Sequence, residues 1–127
     1  MNSALWAVQI LLGVSFIGIG VTHFVVPPGL PAPMAWMYAL PSGLHFAIGT
    51  AEILGGLGLI LPGLTRIQTR LTPLAGLGLV AVMILAVVFH IGREEYPNIA
   101  FNATLGVLAA FVAYGRWRLY PLPGKMA

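Results

Sequence analysis

Cysteine and aspartate are both absent from this 127-residue chain. The first absence excludes disulfides, thiolate nucleophiles and thiolate metal sites. The chain also lacks a G-x-S-x-G elbow, a P-loop and a dinucleotide fingerprint, so neither nucleophilic catalysis nor nucleotide binding has a motif to rest on. Charge is nearly as scarce. Six basic and three acidic side chains make 7% of the residues, against a hydrophobic share of 59%, where a soluble domain carries about 25% charged residues. Nine charges cannot clothe a water-facing surface, so lipid is the expected solvent for most of the exterior. The net charge of +3 is spread over loops and the tail, and gives no basic patch for nucleic acid.

What is present is hydrocarbon in four blocks. Residues 4–26, 43–61, 71–91 and 99–114 are apolar, each near the roughly 20 residues that cross a bilayer core. Lipid offers the backbone no hydrogen bonds, so segments of this length must be helices. The expected fold is all-α: a single membrane domain, a bundle of four transmembrane helices. The start lacks a basic n-region and a cleavage site, and reads as a retained first helix. Pro27, Pro28, Pro31 and Pro33 break the chain after the first span. The Pro-rich loop from Pro33 to Pro41 carries Trp36 and Tyr38 and is expected at the headgroup level, as a short interfacial helix. Pro62-Gly63 is expected to end the second span, whereas Pro73 and Pro97 fall in first turns, where a missing amide costs little.

Arg66, Arg70, Arg116, Arg118 and Lys125 lie on one side of this layout and Arg93 on the other. The positive-inside rule then puts both termini in the cytoplasm. On the second span Ala47, Ala51 and Gly55 recur every four residues beside Gly49, Gly56 and Gly58. Small residues let helices approach closely in lipid, which marks this span as the expected central helix.

The polar residues inside the spans carry the functional information. Glu52 lies near mid-span, where a carboxylate costs about 2.5–3.5 kcal/mol on insertion scales, so it must face the interior. His45 precedes it by two turns on the same face. His23 ends the first span and His90 the third, on the same side of the membrane. Asn98 and Asn102 open the fourth span there. A histidine at a helix end also serves as a cap for the last carbonyls. Together these residues are expected to form an outward-opening polar pocket floored by Glu52. Glu52 and His45 are its candidate catalytic pair, and His23, His90, Asn98 and Asn102 its candidate ligand-binding groups. Arg93, Glu94 and Glu95 read as a solvated turn, and Tyr114, Trp117 and Tyr120 as an interfacial belt.

Gly49-Thr50-Ala51-Glu52-Ile53-Leu54-Gly55-Gly56-Leu57-Gly58-Leu59-Ile60-Leu61-Pro62-Gly63 resembles the glycine-rich second helix of the DoxX-like family, small bacterial four-helix membrane proteins. Ala86-Val87-Val88-Phe89-His90 fits its third. The resemblance implies residence in the bacterial cytoplasmic membrane. It also implies a link to sulfur oxidation at the quinone pool, to oxidative-stress complexes or to membrane-protein assembly, and it carries over only Glu52 as the acidic position.

Three functions follow from different classes. The first is a redox-associated subunit that interacts with quinone or another lipid, its carboxylate and imidazoles exchanging protons with the ligand. The second is a non-catalytic accessory subunit, in contact with other membrane subunits or a second copy of itself. The third is a histidine-ligated metal or haem protein, although no H-x-x-x-H spacing is present.

Overall fold

The computed structural model describes residues 1–124; Lys125, counted above toward the charge asymmetry, lies outside them. Four long apolar helices run up and down: α1 (Asn2–Thr22), α2 (Ser42–Thr65), α3 (Leu71–Gly92) and α4 (Tyr96–Tyr114). Each is long and apolar enough to cross a membrane, and no strand occurs among the described residues. The protein is thus an all-α, multi-pass membrane protein. Most large apolar side chains point outward, as lipid allows. The apolar centre is built from Leu12, Phe16, Leu59, Leu79, Met83 and Ala109.

α1 packs on α2, α2 on α3 and α3 on α4, with a lighter α1–α4 seam. No helix is central, contrary to the expectation for α2. Nor do Ala47 and Ala51 make the contact; both are exposed. The close approach is made by glycines facing glycines. A methyl group on Gly56 would stand 2.6 Å from the Gly13 carbonyl oxygen, and one on Gly49 would stand 2.8 Å from that of Gly20. Both pairs repeat every seven residues on antiparallel helices, so one face of each helix lies flat on the other.

α1 stops at Thr22, four residues before the expected end, and His23 caps it. α2 does the reverse and runs through Pro62 to Thr65. Proline lacks the amide that would bond the carbonyl four residues back, which here is Gly58. The Thr72 hydroxyl of α3 donates to that carbonyl at 2.8 Å. A partner on the next helix therefore lets the proline sit inside a membrane span. Arg66 ends α2 in the left-handed conformation, φ 62°.

The Pro-rich loop forms the expected short helix, a 3₁₀ segment over Ala32–Ala39. It is pinned from several sides. The Tyr38 hydroxyl donates to Pro27 O (2.6 Å) and accepts from Leu30 N (3.0 Å), and Asn98 Nδ2 donates to Pro33 O at 3.1 Å. At the opposite end α4 widens into a π-helical turn, Gly115–Leu119, closed by Tyr120 N–H on Gly115 O at 2.7 Å.

Candidate functional site

The glycine contact sets the site. Gly49 lies midway between His45 and Glu52 on α2 and abuts Gly20, and three residues beyond Gly20 comes His23. Pressing Gly20 on Gly49 therefore sets the His23 ring between the two α2 side chains. Its Nε2 lies 3.1 Å from Glu52 Oε1 and its Nδ1 2.8 Å from His45 Nδ1. His45 Nε2 lies 2.7 Å from the Met37 carbonyl oxygen of the 3₁₀ segment. The result is one chain: Glu52, His23, His45, Met37 O.

Its proton content follows from its ends. A carbonyl only accepts, so His45 Nε2 always carries a proton. Each of the other two gaps, carboxyl to ring and ring to ring, needs one proton to be a hydrogen bond. The three side chains thus hold three protons and are neutral as a unit. A proton can stand on the Glu52 carboxyl with both rings neutral, or move inward to leave a carboxylate facing an imidazolium. The sum stays zero. Glu52 is 2% exposed, His23 5% and His45 8%, and a neutral unit avoids most of the cost of an isolated charge at that depth.

Trp36 stands over this chain. Its ring centre lies 6.0 Å from that of His23 and 5.0 Å from that of His90, the latter edge to face. It reads from sequence as a headgroup anchor but turns inward, half-buried, as the wall between two histidines. His90 is buried and makes no bond to the chain of three. Its Nδ1 lies 3.0 Å from Glu95 Oε1, which also accepts from Arg93 Nε at 2.9 Å. Partial burial favours protonation of Glu95. The hydrogen bonds from His90 and Arg93, and their charges, outweigh it and hold the carboxyl below its ordinary value. Glu95 is therefore a fixed partner rather than part of a solvated turn. Asn98 fastens the 3₁₀ segment, and Asn102 Nδ2 bonds back to Asn98 O in its own helix at 2.8 Å. Neither touches the chain of three. Glu52, His23, His45 and His90 are all buried, at 2%, 5%, 8% and 2% exposure.

The two imidazoles face each other, their Nδ1 atoms at hydrogen-bond distance, instead of converging on a common centre. No group of three or more metal-ligating side chains is arranged to hold an ion among the described residues.

A second polar cluster occupies the other end of the bundle. Arg116 reads from sequence as a tail charge, but the π-helical turn swings it inward to 3% exposure. Its Nε donates to Gln9 Oε1, its Nη1 to Asn2 Oδ1 (2.6 Å) and Tyr120 O (2.9 Å). Its guanidinium carbon lies 5.4 Å from the Trp6 ring centre. Gln9 passes its own amide on to Leu59 O at 2.9 Å. Gln9 is the lone amide side chain of the first span, residues 4–26.

Fold and site together define a polytopic helical membrane protein with a hydrogen-bonded carboxyl–imidazole chain buried near one face. The family model described as the DoxX-like family matches residues 7–112. The chain belongs to that family. No curated protein and no solved structure matches it.

Proposed function

We propose that this DoxX-like protein is a redox-associated subunit of the bacterial cytoplasmic membrane that exchanges a proton with a lipid-soluble carrier of the quinone class. The single observation behind this reading is the neutral chain Glu52–His23–His45 ending on a carbonyl. The Met37 carbonyl accepts from His45 as a quinone oxygen would. A quinone entering beneath the 3₁₀ segment, beside the flat face of Trp36, replaces one acceptor with another of the same chemistry. The bound quinone supplies the two-electron couple, and a redox partner supplies the electrons.

The chain's own residues handle the proton. His45 Nε2–H donates to the ligand oxygen and, on reduction, releases its proton. His23 passes one to His45 Nδ1, and Glu52 passes one to His23 Nε2. Each transfer runs along a hydrogen bond already made; the proton deficit ends on Glu52 as a carboxylate, which takes up a proton from the aqueous side before the second proton of the two-electron reduction is delivered. Glu52 is the proton reservoir, His45 the donor to ligand, and His23 the link. Trp36 shields the relay from water and His90 fixes Trp36. Arg66, Arg70, Arg116 and Arg118 crowd the far end, which the positive-inside rule assigns to the cytoplasm. The relay then faces outward.

Glu52→Gln tests this. The amide still donates to His23 Nε2 and keeps the fold, but it has no proton to give. Quinone-linked turnover in membranes should fall at least a hundredfold, in the range that general acid–base catalysis contributes. Turnover at the wild-type rate, with the protein present at normal level, rules the relay out.

One observation favours an assembly role instead. A lipid-facing groove of about 350 Å³ lies between α2 and α3, lined by Ala51, Gly55, Gly58, Ala75 and Gly78. If the chain serves to seat another subunit, Gly78→Leu, which meets open space in the chain itself, removes a co-purifying partner while Glu52→Gln leaves it in place.

A further inference from the structure

Among the described residues, the second cluster holds a positive charge with no acidic partner. Every partner of Arg116 is neutral: two side-chain amides, one backbone carbonyl and one indole face. Its Nη2 is buried and has no hydrogen-bond partner among the described residues. The chain has three acidic side chains in all. Glu52 is bound to His23 and Glu95 to His90 and Arg93 at the opposite end, and Glu94 sits exposed beside Glu95. A buried cation with no counter-charge is costly, and such groups are retained where something pairs with them.

The place for that partner is next to it. A cavity of about 320 Å³ is lined by Arg116, Arg70, Thr69, Trp117, Pro73 and Leu122. It is large enough for a small polar group. Arg70 brings a second guanidinium from the start of α3, and Thr69 a hydroxyl. The first turn of α3 adds the positive end of a helix dipole. Two guanidiniums and a hydroxyl around a cavity, with an apolar rim of Trp117, Pro73 and Leu122, match a phosphate joined to something greasy.

We propose that Arg116, Arg70 and Thr69 form a binding site for a phosphate-bearing anion, the group carried by an anionic phospholipid at this face of the membrane. Gln9 and Asn2 are positioning residues. They hold Nε and Nη1, leaving Nη2 as the guanidinium nitrogen with no partner among the described residues.

Native mass spectrometry of the full chain from mixed micelles with equal phosphatidylglycerol and phosphatidylcholine tests this. Wild type should retain phosphatidylglycerol roughly tenfold over phosphatidylcholine, whose own choline cation cancels the charge of its phosphate. Arg116→Gln should bring the ratio near one. If that variant fails to fold, Arg70→Gln, at an exposed position, decides: its ratio should fall at least about threefold. A parallel arm adds inorganic phosphate. Displacement of the lipid by millimolar phosphate keeps the site and assigns it to the free anion. Equal retention of the two lipids by wild type, or a ratio unchanged in both variants, overturns the proposal.

Discussion

The two ends of α1 solve the same problem in opposite ways. At His23 the helix meets a carboxyl and a second imidazole, and the unit sums to zero. At Gln9 and Asn2 it meets a guanidinium, and the unit keeps a whole positive charge. Both clusters are buried at the ends of lipid-facing helices. The first is complete within the chain. The second is complete only with a partner. A buried polar group is thus not one kind of signal. What separates a relay from a binding site is whether the local charges and protons add up.

The largest expected effect comes from breaking the balanced end. Glu52→Ala leaves His23 facing a void at a depth where nothing else can accept or donate. It should destabilise the protein by about 3 kcal/mol, as removal of one member of a buried pair does, measured by denaturant unfolding in micelles. Arg116→Met removes a buried charge and leaves the Gln9 and Asn2 side-chain oxygens and the Tyr120 carbonyl short of a donor. In phosphatidylcholine it should cost less, about 1–2 kcal/mol. If the arginine change costs more, the contrast between the ends is wrong.

Next comes the contact that builds the relay. A methyl on Gly49 would stand 2.8 Å from the Gly20 carbonyl oxygen and 3.0 Å from His23 Cβ, so Gly49→Ala must push α1 away. A loss of about 1–3 kcal/mol is expected, in the range for overpacking. Quinone-linked activity should fall with it, because the shift lengthens the His23–Glu52 contact. Unchanged activity would separate the glycine seam from the relay.

Thr72→Val sharpens the other side. It leaves Gly58 O without its donor and should cost about 1–2 kcal/mol. In a Pro62→Ala background, the alanine amide bonds Gly58 O and the same change should cost close to nothing. A double-mutant cycle reads the coupling directly, and additive losses would show that the threonine does not serve the proline.

The smallest effect is acid dependence at Glu95. Its carboxyl is held below the ordinary carboxylate value by His90 and Arg93. A depressed folded value means its contribution is complete above the unfolded value and fades as pH falls through the folded one. Glu95→Gln should remove a small acid-side decline in melting temperature. A wild-type decline that persists unaltered in the variant would assign it elsewhere.

Much of this was legible beforehand, for reasons that particular residues make clear. Long apolar runs can only be helices in lipid, so the four spans followed directly, whereas the family resemblance rested on the glycine-rich segment from Gly49 to Gly63. His45 and Glu52 share a face because seven residues make two turns. His23 fell at the right level because its helix runs antiparallel. The misses are all partnerships across helices. Pro62 reads as a stop because its missing hydrogen bond is visible in the sequence, whereas the repair by Thr72 is not. Arg116 reads as a tail charge because nothing local announces a π-helical turn. Trp36 reads as an anchor because it is an aromatic in the Pro-rich loop between two spans, and only the folded segment turns it inward. Asn98 and Asn102 share the histidines' level, yet their amides are occupied by backbone carbonyls. Level alone does not decide contact.

The most direct measurement is the scalar coupling between the two facing ring nitrogens in protein labelled with ¹⁵N-histidine. One shared proton between His23 Nδ1 and His45 Nδ1 should give a resolved nitrogen–nitrogen coupling, with His45 Nε2 protonated. Absence of that coupling, with both Nδ1 atoms protonated or both bare, would contradict a neutral three-proton relay.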